Sequence, residues 1–134
     1  MTIVLDACAM IAFLRDEPGA EFVERYLLDD ASECFAHVIN LCELYYDFLK
    51  ASNPETAQAA LQDLNAIGVI TREDIEQEFW QQVGKYKATI RRVSLADCFA
   101  IALTNRVGGS LLTSDRHEFE AIARLGICPV TFIR

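Results

Sequence analysis

The stretch SLADCFAIALTNRVGGSLLTSD, residues 94–115, contains the pattern that decides the fold of this 134-residue chain. Ser94, followed three residues later by Asp97, predicts the capped start of a helix, and apolar residues then recur as far as Arg106. A glycine pair ends the helix, and residues 110–113 follow as a short apolar strand. A helix followed at once by a buried strand is typical of α/β proteins.

The rest of the chain continues this alternation. Apolar runs predict further strands at residues 3–5, 34–36, 69–71 and 129–133. Helical spacing of apolar residues predicts helices at residues 10–14, from residue 20, and at 37–50, 54–67, 72–91 and 118–124. The helix at 37–50 is apolar around most of its circumference, which predicts deep burial. We expect an α/β fold with a mainly parallel sheet and helices on both faces, in one domain that spans residues 1–134.

Composition narrows the class of protein. Hydrophobic residues make up 52% of the chain, yet no apolar run approaches the ~20 residues of a membrane helix. The five cysteines are odd in number and include no Cys-x-x-Cys pair, which favours buried free thiols over disulfides or a structural zinc site. The first residues indicate a strand and not a signal peptide, so we expect a cytoplasmic protein.

The net charge of −8 argues against nucleic-acid binding, which usually requires a basic surface. A local basic stretch precedes Asp97 and contains Lys85, Lys87, Arg91 and Arg92. This stretch is either a solvated helix face or a contact surface for an anion.

Four acidic residues occupy positions that such a fold brings together. Asp6 and Asp115 each come at the exit of a predicted strand, the edge of a parallel sheet where sites form. Glu43 lies within an apolar helix, and Asp97 lies in the first turn of another. Carboxylates are costly to bury unless paired or bound to a cation. Several that converge form a site for a hard metal ion, which predicts a metal-dependent hydrolase.

Each of these residues also has a structural explanation. Asp6 suits a helix N-cap, Asp97 completes a capping box with Ser94, Asp115 suits a turn, and Glu43 suits an exposed helix edge. Asn40, Ser114 and Glu118 are secondary candidates, because they lie beside the four on the chain; His117 is expected at the surface. A second set of aromatic residues either packs in the core or forms a groove for a partner helix: Phe22, Tyr26, Tyr45, Tyr46 and Phe48.

The chain resembles the PIN-domain ribonucleases, in particular the VapC-like toxins of bacterial toxin–antitoxin pairs. Four ordered stretches carry the resemblance: VLD at 4–6, NLCEL at 40–44, SLADCFA at 94–100 and LTSD at 112–115. It implies a three-layer α/β/α sandwich around a central, mainly parallel sheet. It also implies cleavage of RNA with Mg²⁺ or Mn²⁺, a homodimer, and an antitoxin partner.

The resemblance places the acidic quartet of the family at Asp6, Glu43, Asp97 and Asp115. Our hypothesis is that the three aspartates bind the metal directly and that Glu43 acts through water or orients the nucleophile. Contacts to the RNA backbone are assigned to the basic residues Lys85, Lys87, Arg91, Arg92 and Arg116. Mutual repulsion should raise the pKa values of the carboxyls in the metal-free site.

One position departs from the family pattern. A small hydroxyl residue often follows the first aspartate by two positions, and this chain has Cys8 there. A thiol is the weaker hydrogen-bond donor, so the support of Asp6 is expected to be looser. Cys8 also argues against a haloacid-dehalogenase-like phosphohydrolase, which has a second aspartate at that place. The remaining alternative is a non-catalytic PIN-like interaction module with a vestigial acidic pocket.

Overall fold

The computed structural model describes all residues from 1 to 134, which form five strands and seven helices. The strands are β1 (Thr2–Leu5), β2 (Glu33–His37), β3 (Val69–Arg72), β4 (Ser110–Thr113) and β5 (Val130–Phe132). The helices are α1 (Ala7–Leu14), α2 (Ala20–Leu27), α3 (Val38–Ala51), α4 (Pro54–Ala66), α5 (Gln77–Thr89), α6 (Leu95–Val107) and α7 (Arg116–Arg124).

All five strands are parallel and form one sheet in the order β3-β2-β1-β4-β5. The chain builds the sheet outward from β1 through β2 to β3, and then crosses to the other side of β1 to add β4 and β5. This reversal puts a switch point between β1 and β4, where Leu5 pairs with Leu112. Crevices at the carboxyl side of such a switch point are the usual ligand sites of parallel sheets.

The apolar residues divide between the two faces of the sheet, which confirms the α/β/α arrangement. One cluster is centred on Ile3, Leu5 and Leu44, and the other on Val4, Leu111 and residues of α6. Successive side chains of β1 enter opposite clusters, as the two-residue period of a strand requires. No helix has both the length and the apolar character needed to cross a membrane.

The close junction of α6 and β4 depends on the Gly108-Gly109 pair. Gly108 has a φ of +65°, the left-handed conformation that suits a residue ending a helix. A Cβ on Gly109 would lie only 2.6 Å from the carbonyl oxygen of Thr2, so the chain can approach β1 this closely only without a side chain. The glycine pair therefore fixes where β4 enters the sheet.

The helix predicted to begin at residue 72 begins instead at Gln77. Arg72 belongs to β3, where it pairs with His37. Its guanidinium donates two 2.8 Å hydrogen bonds to Asp74, which also accepts from Arg106 at 2.9 Å. This ion cluster holds residues 72–76 outside the helix, and helical spacing alone does not reveal it.

Two expectations about burial were wrong in part. Helix α3 is not deeply buried throughout: Asn40, Leu44 and Phe48 are buried, but other apolar positions are only half-buried and Tyr46 is exposed. Three cysteines are buried free thiols, whereas Cys8 and Cys42 are exposed. Apolar side chains also contribute much of the accessible surface of folded proteins, so an apolar stretch of sequence need not be buried.

Candidate active site

Asp6 lies directly after β1 and is only 1% exposed. It is the N-cap of α1, and its Oδ1 accepts a 2.8 Å hydrogen bond from the backbone N–H of Ala9. The same carboxylate faces the switch point, so the capping role and the site role do not exclude each other. Its second oxygen, Oδ2, is buried and has no hydrogen-bond partner. A buried carboxylate oxygen without a partner is unfavourable unless a cation or proton occupies that place.

The neighbouring strand supplies Asp115 and a residue that the sequence reasoning missed, Thr113. Thr113 is fully buried at the end of β4, and its hydroxyl accepts a 3.0 Å hydrogen bond from the Asp115 N–H. The Thr113 side chain also offsets part of the rise in pKa that burial causes at Asp6. Asp115 in turn caps α7, accepting from the backbone N–H of Glu118 at 3.0 Å. The only signal in the sequence was a hydroxyl residue at the inward-facing end of a strand.

Glu43 and Asp97 reach the site from two helices that Asn40 holds together. The Asn40 Nδ2 donates to the carbonyl oxygen of Ala96 at 3.2 Å and lies 3.5 Å from Glu43 Oε1. Asp97 sits in the first turn of α6, where its backbone N–H donates to the Ser94 side chain at 3.1 Å, as predicted. Asn40 is fully buried, and its Oδ1 is a second oxygen without a partner.

The carboxyls of the site repel one another, as expected. Burial raises the pKa of Asp6 to about 7, and the charges of Asp97 and Glu43 add to the increase. Burial also raises the pKa of Glu43, again with a contribution from Asp97. These mutual effects place the three side chains in one electrostatic neighbourhood.

Glu118 extends this neighbourhood towards α7. A hydrogen bond to Asp97, followed by burial, raises the pKa of Glu118 to about 8, and the charges of Asp97, Asp115 and Glu43 contribute further. Sequence adjacency had made it a secondary candidate, and the structure brings it into the acidic group.

The other secondary positions lie at the margin of this group. Ser114 is half-buried, and its carbonyl oxygen accepts from the Arg116 N–H at 3.2 Å. Cys8 is close enough for all four carboxylates to act on its thiol; burial and then these charges raise the Cys8 pKa to about 12. Cys8 therefore stays a neutral thiol at the entrance of the site.

The donor set of the acidic group fits a hard divalent cation. No three His, Cys, Asp or Glu side chains already stand in a metal-binding group. The available donors are nonetheless carboxylate oxygens with one amide oxygen nearby, which suit Mg²⁺ or Mn²⁺. The unpartnered buried oxygens of Asp6 and Asn40 are the observation that fits a cation ligand.

The basic residues predicted to contact RNA differ in whether their side chains already have contacts within the protein. Lys85, Lys87, Arg91 and Arg92 are exposed, with the lysines on α5 and the arginines in the loop that leads to α6. Arg116 is already engaged, because its guanidinium donates to the Arg134 carbonyl at 2.9 Å and lies over the Phe132 ring. His117 is exposed, as expected.

An apolar groove of about 430 Å³ is lined by residues of α3, α4 and β3. Its walls include Leu41, Tyr45 and Leu61. Of the aromatic residues considered for a partner groove, only Tyr45 lines it. Phe48 is buried in the core cluster, and Phe22 packs edge-on against Tyr26.

Comparison with known proteins agrees with this arrangement. Residues 3–125 match the model of the PIN domain family. No curated protein sequence matches the chain. The fold is shared with VapBC2 from Rickettsia felis bound to a promoter DNA fragment, at 17% identity and a TM-score of 0.75 with 98% of each chain covered. It is also shared with DNA-bound VapBC from Salmonella typhimurium, at 18% identity and a TM-score of 0.73 with 100% of this chain and 99% of that chain covered. A third such structure is the sarcin–ricin loop cleaving toxin VapC20 from Mycobacterium tuberculosis, at 14% identity and a TM-score of 0.72 with 90% of this chain and 94% of that chain covered.

Proposed function

Because the chain belongs to the PIN domain family, we propose that it is a Mg²⁺- or Mn²⁺-dependent endoribonuclease that hydrolyses RNA phosphodiester bonds as the toxin of a toxin–antitoxin pair. The observation that carries this proposal is the convergence of carboxylates from distant parts of the chain at the β1–β4 switch point. An acidic group with unpartnered buried oxygens suits metal-assisted phosphate chemistry better than the alternative of a vestigial pocket.

The side chains divide the work between holding and positioning. Asp6, Asp97 and Asp115 would hold the cation, and Glu43 would orient the attacking water. Thr113 would support the Asp6 carboxylate from the adjacent strand. A divalent ion in this place, when bound, activates water and offsets the charge that develops on the phosphate.

Similar structures support the partner assignments. Several of them are complexes named VapBC or FitAB, and one toxin is named for cleaving the sarcin–ricin loop. We extend these properties to the chain as an antitoxin partner and an RNA substrate. A homodimer and a cytoplasmic location complete the proposal.

The test is cleavage of a labelled RNA by purified protein with Mn²⁺, compared with Asp6→Asn and Asp97→Asn. Both variants should lose at least about a hundredfold in rate, because each removes a charged metal ligand. Asp63→Asn is the matched control, since Asp63 is exposed on α4. Circular dichroism of each variant monitors the fold.

A result of equal cleavage by all four proteins would identify a contaminating nuclease and defeat the assignment. Metal binding without any RNA cleavage would favour the interaction module instead. Calorimetric titration with Mn²⁺ separates these two outcomes.

A further inference from the structure

The nine arginines of the chain differ in whether they have a partner. Five form ion pairs with acidic residues: Arg15, Arg72, Arg106, Arg116 and Arg134. Arg25 stacks on the Phe22 ring. The other three, Arg91, Arg92 and Arg124, have neither an ion pair nor an aromatic ring.

These three arginines line the same cavity. It lies between the α5–α6 loop and α7, has a volume of about 430 Å³, and is bordered by Arg91, Arg92 and Arg124 together with His117. That volume falls in the range of sites that hold small ligands. The separation of Arg124 from Arg91 along the chain is why only two of the three could be picked out from the sequence.

The cavity has two acidic residues, Glu118 and Glu120, against three arginines, so they do not balance its positive charge. Glu120 forms an i,i+4 ion pair with Arg116 at 3.7 Å. The backbone N–H of Glu118 donates to Asp115 Oδ1 at 3.0 Å, so Glu118 adjoins the acidic group on its other side. The cavity therefore keeps an excess of positive charge, and Glu118 marks where it adjoins the carboxylates.

We propose that this cavity binds a phosphate of the RNA strand. The bound phosphate would be next to the phosphodiester bond that is cut at the acidic group. The inference rests on the proposed ribonuclease function and specifies how its substrate is held. The guanidinium groups of arginine match phosphate oxygens in paired hydrogen bonds, and they keep their charge at any working pH. A focused positive site also explains how a chain of net charge −8 can hold a polyanion, because more distant charges are screened by salt.

The affinity for a labelled single-stranded RNA, measured by fluorescence anisotropy, tests this phosphate-binding site. Binding is measured with the Asp97→Asn variant in EDTA, because this background cannot cleave the RNA. The substitution also removes one charge that repels the RNA. In that background, Arg91→Gln and Arg124→Gln should each weaken binding several-fold at about 0.1 M salt, and each should reduce the slope of log affinity against log salt by about 0.7. The matched control is Arg25→Gln, which removes an equal charge from α2, where the arginine stacks on Phe22.

The outcomes are decisive in either direction. Weaker RNA binding by the cavity variants, with normal binding by Arg25→Gln, supports the phosphate-binding site. Equal losses in all three variants, no losses at all, or no RNA binding at low salt overturn it. If the protein binds RNA through these arginines but never cuts it with Mn²⁺, the ribonuclease proposal fails separately. If the protein cuts RNA and the cavity variants bind RNA normally, only the proposed phosphate-binding site is rejected.

Discussion

The Thr113 hydroxyl accepts a 3.0 Å hydrogen bond from the backbone N–H of Asp115. The same buried side chain offsets part of the rise in the pKa of Asp6, so it acts on the acidic residues that follow two adjacent strands. The relationship between Thr113 and Asp115 is thus the local basis for the alignment of the site across β1 and β4.

Thr113→Val tests this role, because valine keeps the shape and removes the hydroxyl. The variant leaves the Asp115 N–H without its partner, so we expect a loss of about 1–3 kcal/mol in the free energy of unfolding. Loss of support for Asp6 should weaken Mn²⁺ binding about 10- to 100-fold, measured by calorimetric titration.

Thr104→Val is the control for that experiment. Thr104 is also fully buried, but its hydroxyl donates to the carbonyl of Ala100 within α6. It should lose stability without losing Mn²⁺ affinity. If both variants bind Mn²⁺ as the wild type does, Thr113 has no positioning role.

The metal-free protein should become less stable as pH rises. The pKa of Asp6 is about 7 in the folded state against an ordinary value of 3.8, so the folded state retains a proton that the unfolded state releases. The stabilisation is complete below about pH 4 and is lost as pH rises to about 7, with a magnitude of roughly 4 kcal/mol. Glu118 acts in the same direction up to about pH 8.

Urea unfolding in EDTA at several pH values measures this dependence. Asp6→Asn, which cannot ionise, should flatten most of the loss between pH 4 and pH 7. A wild-type protein that gains stability over that interval would show that Asp6 is not held in its protonated form.

Metal binding should show the opposite dependence on pH. Protons on Asp6 and Glu118 compete with the cation, so the rise in Tm caused by Mn²⁺ should be larger at pH 8.5 than at pH 6. Titrations in two buffers of different ionisation enthalpy should also reveal proton release at pH 6. An identical rise in Tm at the two pH values would argue against carboxylate ligands.

Cys8 should react slowly with alkylating reagents despite its exposure. Its pKa of about 12 leaves little thiolate at pH 8.5, and the thiolate is the reactive form. Peptide mapping after brief iodoacetamide treatment should find Cys42, the other exposed thiol, modified first. Preferential modification of Cys8 would show that its pKa is not raised by burial and the neighbouring carboxylates.

The sequence predicts the positions that depend on local pattern and misses those that depend on contacts between distant residues. Capping chemistry located Asp97 beside Ser94, and strand exits located Asp6 and Asp115 at one edge of the sheet. The start of α5 was wrong because Asp74 binds arginines from β3 and α6, which are far apart on the chain. Thr113 was missed because its importance lies in joining two strands rather than in any local motif.

The placement of β4 beside β1 has a consequence for synthesis on the ribosome. Asp6 is translated early, but Thr113 and Asp115, which complete its surroundings, are translated late. A nascent chain that stops before residue 110 lacks the strand that borders β1 at the switch point. Such a fragment also lacks Thr113 and Asp115, so the acidic group is incomplete until residue 115 has been translated.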